Sequence, residues 1–253
     1  MRGYSALVML QSVTSLAHSW VEELTAIGRN GTQIGNAGFA RGNVARTDPQ
    51  FTGDVMTHLL PPNTRPVDVG ILASDLMCSQ TQMPSNQSTS NPRLQVTRDA
   101  TEIVFWYEEN GHVTLPQIPV GKPLNRGTIY IYGTQNATSE ERFNGIHKVW
   151  NASGTGGDRH GKLLATFDFD DGYCYQINDG AISRSRQQQY PHQPQPPMGA
   201  DRWCRNILSV PGDAQQMYTF YWVWDWLTAA NVDPDLPSGK TEIYTTCIDV
   251  DFI

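Results

Sequence analysis

The sequence has 253 residues, with 18 Lys and Arg against 25 Asp and Glu and a formal net charge of −7. This acidic balance excludes a nucleic-acid or anionic-membrane partner, because both require clustered cationic side chains that displace counterions. No segment reaches the roughly 18 consecutive apolar residues that a membrane span requires. A length near 250 fits one large β-sandwich as well as two small domains, and the composition favours one domain with long loops.

The first 17 residues, MRGYSALVMLQSVTSLA, have the layout of a secretory signal peptide. Arg2 is followed by an apolar stretch over residues 6–10 and by a small-x-small cleavage site that ends at Ala17. The alternative is an N-terminal core helix, but serines and a threonine interrupt its apolar stripe. We therefore expect residues 1–17 to be removed, the protein to be secreted to the extracellular space, and His18 to become its first residue.

Four N-x-S/T glycosylation sequons and an even number of cysteines agree with export. The cysteines allow three disulfide connectivities, and none lies in a C-x-x-C pair, so structural disulfides are favoured over a zinc or redox site. The sequon asparagines are Asn30, Asn86, Asn136 and Asn151, and the cysteines are Cys78, Cys174, Cys204 and Cys247.

The mature chain is predicted to consist of strands separated by turns. Residues 19–27 end at the turn signal Asn30-Gly31, and a polar, proline-rich connection follows over residues 35–68. Later strands are predicted where Val, Ile, Tyr, Trp, Phe and Thr concentrate. These predicted strands cover residues 93–98, 102–107, 127–133, 161–169, 217–226 and 240–252.

Helices are predicted to be scarce. One short helix is predicted near residues 139–143, and the Gln- and Pro-rich segment 183–198 is predicted to be an extended surface loop. This pattern predicts an all-β fold, an immunoglobulin-like or fibronectin type III-like antiparallel β-sandwich with long loops, over residues 18–253.

The familiar catalytic motifs are missing: the sequence has no G-x-S-x-G, no H-E-x-x-H, no phosphate-binding glycine loop and no dinucleotide fingerprint. Six histidines remain, and each taken singly is more often a structural residue than a metal ligand. His112 is the best internal candidate, because a turn after the predicted strand 102–107 would aim it from the sandwich edge. The histidines are His18, His58, His112, His147, His160 and His192, with His58 as the first replacement for His112.

His18 and His112 together predict a copper site. After cleavage, His18 would carry an α-amine with a pKa of about 7.7–8.0, so a metal can displace its proton near neutrality, and its ring nitrogen closes a chelate. A second imidazole gives three nitrogens in a T shape. Such a set prefers Cu(II) on geometry and on the Irving–Williams order.

The C-terminal segment adds a motif to this pair of histidines. It reads Glu242-Ile243-Tyr244-Thr245-Thr246-Cys247-Ile248-Asp249-Val250, and the preceding strand carries Tyr221-Trp222-Val223-Trp224-Asp225. With the two histidines, the sequence resembles the fungal lytic polysaccharide monooxygenases and their histidine-brace copper relatives. Cellulose-active families carry Q-x-Y-x-x-C in the last strand, so Tyr244 and Cys247 match and Glu242 replaces the Gln.

The resemblance implies a secreted copper-dependent monooxygenase that oxidatively cleaves glycosidic bonds in a recalcitrant polysaccharide such as chitin, cellulose or hemicellulose. One copper ion would alternate between Cu(II) and Cu(I) on His18 and His112. Tyr244 would occupy or shield an axial position, and Glu242 would orient the oxygen species or transfer a proton. The implied partners are the polysaccharide, an external electron donor and O2 or H2O2, and we expect a monomer.

The resemblance also implies the disulfide Cys78–Cys247, which leaves Cys174 to pair with Cys204. Two other functions stay open: a non-catalytic copper-binding or copper-delivery protein of the fungal cell surface, and a cell-wall glycoprotein without metal. Tyr244 has an ordinary alternative as a cross-strand core residue. Tyr190 and Trp203 are candidates for a polysaccharide-binding face.

Overall fold

The computed structural model describes residues 18–84, 86–115 and 120–253, and the predicted signal peptide lies outside them. Two β-sheets pack face to face, so the predicted β-sandwich is confirmed. In chain order the strands are β1 (Val21–Gly28), β2 (Gln33–Gly38), β3 (Leu59–Leu60), β4 (Leu94–Val96), β5 (Ala100–Tyr107), β6 (Thr128–Thr134), β7 (Gly161–Asp168), β8 (Cys204–Ser209), β9 (Met217–Asp225) and β10 (Ile243–Phe252).

One sheet has four strands in the order β2-β1-β5-β8, and the other has six. In the six-stranded sheet the order is β3-β10-β9-β6-β7, with β4 added beside β10. All pairs are antiparallel except β4 with β10. The sequence pattern located most of these strands but missed β8 and placed β2 largely, and β3 entirely, inside a connection. β3 has two residues, and the exposed positions of β2 are Gln33, Gly35 and Asn36, which do not have the composition typical of a strand.

Alternation along β9 and β10 creates two cores. Even-numbered side chains of β9, such as Trp222 and Trp224, face the four-stranded sheet and join the main core. Odd-numbered ones, such as Tyr221 and Val223, face outward into a second core that long loops cover. The central strands β9 and β10 are therefore buried on both faces, which is why β9 is almost continuously apolar or aromatic.

The described residues form three short α-helices, α1 (Gly53–Met56), α2 (Phe143–Ile146) and α3 (Ala181–Gln189), and one 3-10 helix at Gln80–Gln82. Helix α3 corrects the prediction of an extended loop over residues 183–198. Ala, Ser, Arg and Gln tolerate helical backbone well, and the helix is fixed by Ser183, whose hydroxyl donates to Gln176 O at 2.6 Å. The proline at position 191 follows its C-terminus, as a helix stop requires.

Two disulfides fasten loops to the strands. Cys78 is bonded to Cys247 of β10, and Cys174 is bonded to Cys204 of β8. This is the pairing that the resemblance implied. Within the described part of the chain, no helix has the length and apolar character needed to cross a membrane.

Candidate metal centre

A tight turn after β5 places His112. The His112 N–H donates to Glu109 O at 2.8 Å, and the two residues between them have positive φ, 44° at Asn110 and 79° at Gly111. Two left-handed central residues are the signature of a type I′ turn, which Asn-Gly favours. The positive φ at Gly111 favours glycine, and a Cβ there would also displace the Leu115 side chain, whose Cδ1 would lie 2.3 Å away.

The buried carboxylate of Glu109 holds this turn in place. It accepts hydrogen bonds from the backbone N–H groups of Val113 at 2.6 Å and Gln176 at 3.1 Å, and from the Thr114 hydroxyl. These bonds join the turn to the segment that follows β7. The orientation of His112 is therefore set by a hydrogen-bonded frame and not by a mobile loop.

The His112 ring is enclosed by aromatic rings. It is 8% exposed, and its ring centroid lies 4.4 Å from that of Trp226, 5.0 Å from that of Trp224 and 6.2 Å from that of Phe169. Its Nε2 is buried and has no hydrogen-bond partner among the described residues. A buried ring nitrogen without a partner is costly unless it meets a donor or a metal ion.

The charges around His112 keep its ring neutral. Burial, followed by the positive charges of Lys122, His18 and Arg126, lowers the pKa of His112 to about 3. A neutral imidazole presents a lone pair at the nitrogen that carries no proton, which is the form that binds metals. The pocket is thus built for an imidazole acceptor and disfavours an imidazolium.

His18 lies immediately before β1 and beside the same turn. Its backbone oxygen accepts a hydrogen bond from Asn110 Nδ2, and its Nε2 lies 3.1 Å from Asp54 Oδ1. Ser19 Oγ in turn donates to Glu108 O at 3.0 Å. The turn that carries His112 therefore also anchors His18, and the electrostatic effect of His18 on His112 reflects this proximity.

Tyr244 is a core residue of β10. It is 1% exposed, and its ring stacks on Trp224 with centroids 5.1 Å apart and planes 28° apart. Burial raises the pKa of Tyr244, so its phenol stays protonated. Among the described residues its ring contact is with Trp224, which also contacts His112. The Trp224 ring thus lies between Tyr244 and His112.

Glu242 lies directly before β10 and is held by two ammonium groups. It pairs with Lys122 Nζ and, at 2.8 Å, with Lys240 Nζ. Lys122 Nζ also donates to Trp226 O at 2.9 Å and lies 3.6 Å from the centroid of the Trp226 ring. Glu242 therefore reaches His112 through Lys122 and Trp226, and among the described residues it makes no contact with the His112 ring.

The structure brings His18, His112 and Tyr244 to one end of the sandwich, with Glu242 beside them. It places His58 elsewhere, on the opposite face of β10, where its Nδ1 lies 3.0 Å from Thr245 Oγ1. Trp203 is buried and donates its indole N–H to Glu108 at 2.9 Å, so the suggestion of Trp203 as an exposed binding aromatic is wrong.

Several residues around the site were not predicted from the sequence. Asp54 lies in the short helix α1 and Lys122 in a loop, neither has a recognisable motif, and nothing in the sequence links them to a histidine. Asn110 had a signal, because Asn-Gly predicts a left-handed turn.

The four sequon asparagines all lie at exposed positions, and their glycosylation stays a prediction: Asn30, Asn86, Asn136 and Asn151.

Three solved structures illustrate what the chain is similar to. A cellulose-active polysaccharide monooxygenase from M. thermophila is 9% identical, with a TM-score of 0.38, over 93% of this chain and 78% of that chain. The catalytic domain of a lytic polysaccharide monooxygenase from Listeria monocytogenes is 12% identical, with a TM-score of 0.28, over 66% and 64%. A lytic polysaccharide monooxygenase important for chitin utilization in Cellvibrio japonicus is 13% identical, with a TM-score of 0.27, over 68% and 59%.

The chain thus spans less than two thirds of the two bacterial structures. No curated protein matches the sequence. One family does, over residues 15–253, and it is described as a domain of unknown function, DUF7492. The chain belongs to this DUF7492 family.

Proposed function

We propose that this protein is a secreted, copper-dependent, lytic polysaccharide monooxygenase-like enzyme that oxidatively cleaves glycosidic bonds in a recalcitrant polysaccharide. The observation that carries the proposal is the buried His112 Nε2, which has no hydrogen-bond partner among the described residues and lies in the turn that also binds His18. An acceptor nitrogen held neutral and beside a second histidine fits a metal better than it fits a structural hydrogen bond.

The donor set fits copper. Removal of residues 1–17 would free the α-amine of His18. With Nε2 of His18 engaged by Asp54, the ring nitrogen nearer the main chain, Nδ1, closes a chelate ring with that amine. His112 Nε2 supplies the third nitrogen, and three nitrogens suit Cu(II) on the Irving–Williams order. When bound, copper supplies the one-electron chemistry with O2 or H2O2 that side chains lack.

The surrounding side chains would serve this centre in separate ways. Trp224 and Trp226 exclude water from one side of His112 and fix its ring plane. Tyr244, stacked behind Trp224, shields the same side. Asp54 orients the His18 ring by accepting from its Nε2–H. The carboxylate of Glu242, directly before β10, would move a proton at its Oε atoms.

One observation favours the second candidate, a non-catalytic copper-binding or copper-delivery protein. Glu242 is occupied by two lysines and is separated from His112 by Trp226. A protein that only carries copper needs no proton-transfer group at the metal. Binding and turnover must therefore be measured separately.

The decisive experiment starts from the N-terminus. The full chain is expressed in a secretory host, the N-terminal residue of the product is sequenced, and Cu(II) is titrated by calorimetry into the mature protein. We expect a chain that begins at His18 and binds one copper ion. A matched control that retains Ala17 blocks the amine with a peptide bond and is expected to bind far more weakly. Equal affinity of the two forms would contradict the chelate.

Copper-loaded protein is then incubated with chitin, cellulose or xylan and a reductant, and the soluble products are analysed by mass spectrometry. Oxidised oligosaccharides on one polymer support the enzyme. Copper binding without oxidised products on all three polymers would favour the carrier.

A further inference from the structure

A row of aromatic rings and arginines crosses the outer face of the four-stranded sheet. Trp106 of β5 and Arg205 of β8 face each other in register. The Arg205 guanidinium carbon lies 6.0 Å from the centroid of the Trp106 ring and 5.6 Å from that of Tyr173. One cation is thus shared between two ring faces, an arrangement that holds the guanidinium in place.

The row continues beyond Tyr173. The centroids of Tyr173 and Tyr190 are 4.7 Å apart, and the Arg202 guanidinium carbon lies 5.7 Å from the Tyr190 centroid. Arg202 Nη1 also donates to Tyr190 O at 3.3 Å. Tyr173 is 41% exposed, and the other members are partly exposed. We call these five residues the aromatic–arginine row: Trp106, Arg205, Tyr173, Tyr190 and Arg202.

The two arginines of this row lack carboxylate partners. Among the described residues, neither Arg202 nor Arg205 forms an ion pair, whereas the neighbouring Arg186 pairs with Asp170 at 2.8 Å. The nearby Asp171 is engaged elsewhere, because it accepts the backbone N–H groups of residues 173, 174 and 205. Two guanidinium groups that lie over partly exposed aromatic rings and have no carboxylate partner among the described residues offer a site that an external anion would neutralise.

Two acids of the sheet share this face, Glu23 of β1 and Glu102 of β5. Glu23 of β1 is in register with Trp106, on the side away from Arg205. Trp106 therefore stands between the Glu23 carboxyl and the arginines.

We propose that the aromatic–arginine row binds an acidic polysaccharide, a chain of uronic acid units. The faces of aromatic rings are electron-rich and pack against the C–H faces of sugar rings. A guanidinium binds a carboxylate through two parallel hydrogen bonds. A polyuronate carries a C–H face and a carboxylate on every sugar, and the row offers aromatic rings for the C–H faces and two guanidinium groups for the carboxylates.

This proposal does not rest on copper chemistry. The row contains none of the proposed metal-site residues, and it lies on the outer face of the sheet, whereas His112 packs against the interior core. Failure of copper binding would leave the row unaffected, and failure of polyuronate binding would leave the metal centre unaffected.

The test uses the secreted full chain and polygalacturonate as the probe, with dextran as a neutral polymer and poly-glutamate as an acidic peptide. Binding is measured by calorimetry at low and at physiological ionic strength. We expect polygalacturonate to bind in preference to both comparison polymers, with weaker binding at the higher ionic strength. Equal binding of dextran would overturn the role of the arginines, and equal binding of poly-glutamate would overturn the role of the sugar faces.

Variants locate the site. The double variant Arg202→Gln/Arg205→Gln is expected to lose about fivefold in affinity for each arginine, and Tyr173→Ala is expected to lose a similar factor. The matched control Arg29→Gln/Arg98→Gln changes the net charge equally at the other end of the sheet, where Gly28 pairs with Ala100. A control that weakens binding as much as the double variant would reduce the effect to net charge and overturn the proposal.

A second double variant controls for misfolding. Arg202→Lys/Arg205→Lys keeps both charges and removes the planar fork, so it should bind with intermediate affinity. Wild-type affinity in this pair would show that paired hydrogen bonding to a carboxylate is not used, and it would contradict the proposed geometry.

Discussion

Two buried histidines lie on opposite faces of β9, and the difference between them separates a candidate ligand from a structural residue. His112 and His147 are each 8% exposed. His112 contacts Trp224 and Trp226 on the interior face, and His147 faces Asp225 on the outer face. Equal burial therefore does not distinguish them.

The polar groups around His112 and His147 distinguish the two residues. His147 Nδ1 lies 3.2 Å from the Tyr132 hydroxyl, and its Nε2 faces Asp225 Oδ2 at 3.5 Å, a contact with a carboxylate that is too long for a good hydrogen bond. Burial lowers the pKa of His147, but Asp225 opposes the shift. The charges that shift the pKa of His112 are all positive. One histidine has an internal anion, and the other is left with a lone pair directed at no donor.

The largest expected effect is on copper affinity. His112→Ala should weaken Cu(II) binding at least about a hundredfold, because it removes one of three nitrogens, whereas loss of an outer-shell partner already costs 10–100-fold. His147→Ala should leave the affinity within about twofold, since it touches none of the proposed ligands. Calorimetric titration of the mature protein measures both.

Near-UV circular dichroism shows whether each variant is folded. His112→Gln, which keeps a polar side chain of similar length, provides a second variant. If His112→Ala retains wild-type affinity, the contrast between the two histidines has no functional meaning, and another histidine must be the ligand.

The second prediction concerns the pH dependence of stability in the copper-free protein. The pKa of His112 is about 3 in the folded state and about 6.5 when unfolded, so the unfolded state binds a proton first as the pH falls. The stability that depends on a neutral His112 is fully present above pH 6.5 and is lost progressively as the pH falls from 6.5 to 3. His112→Leu should therefore remove about 3 kcal/mol of the stability loss between about pH 7.5 and pH 4.5.

Urea unfolding at the two pH values measures this difference. His147→Leu should remove a smaller part of the acid-induced loss, because Asp225 offsets some of the effect of burial. If the two leucine variants lose the same amount of stability on acidification, the positive charges around His112 do not lower its pKa.

The fold was largely accessible from the sequence, for physical reasons that particular strands show. In β6, Ile129 and Ile131 alternate with Tyr130 and Tyr132, and the two sets do face the two different cores. Alternation is a local property of the pleated chain, so it can be seen without knowing the partner strand. Segment α3 was missed because its polar surface carries no apolar stripe.

The candidate site was accessible only where a local signal existed. Asn110-Gly111 predicts a turn, and the turn carries His112. The contacts of Glu242 with Lys122, and of Asp249 with Arg41 at 2.7 Å, join residues more than a hundred positions apart. Nothing local in a sequence encodes such a pairing, because it depends on which loops the sheets bring together.

The third prediction compares the acids beside the two histidines. Glu242→Gln should lower polysaccharide turnover about tenfold, because an amide cannot exchange a proton, while copper affinity stays within about threefold. Glu102→Gln, on the outer face of β5, is the matched control and should change neither quantity. Unchanged turnover in Glu242→Gln would assign this carboxylate a purely structural role with Lys122 and Lys240.

The smallest effect on stability is expected at Asp225, the acid beside His147. Interactions with His147 and Lys148 lower the pKa of Asp225 against the opposing effect of burial, so Asp225→Asn should cost about 1 kcal/mol of unfolding free energy. The cost is modest because Lys148 is half exposed and solvent screens its charge. Urea unfolding at neutral pH measures the loss, and copper titration should be unchanged. A fall in copper affinity in this variant would mean that the two faces of β9 are coupled, so that the outer histidine supports the inner one.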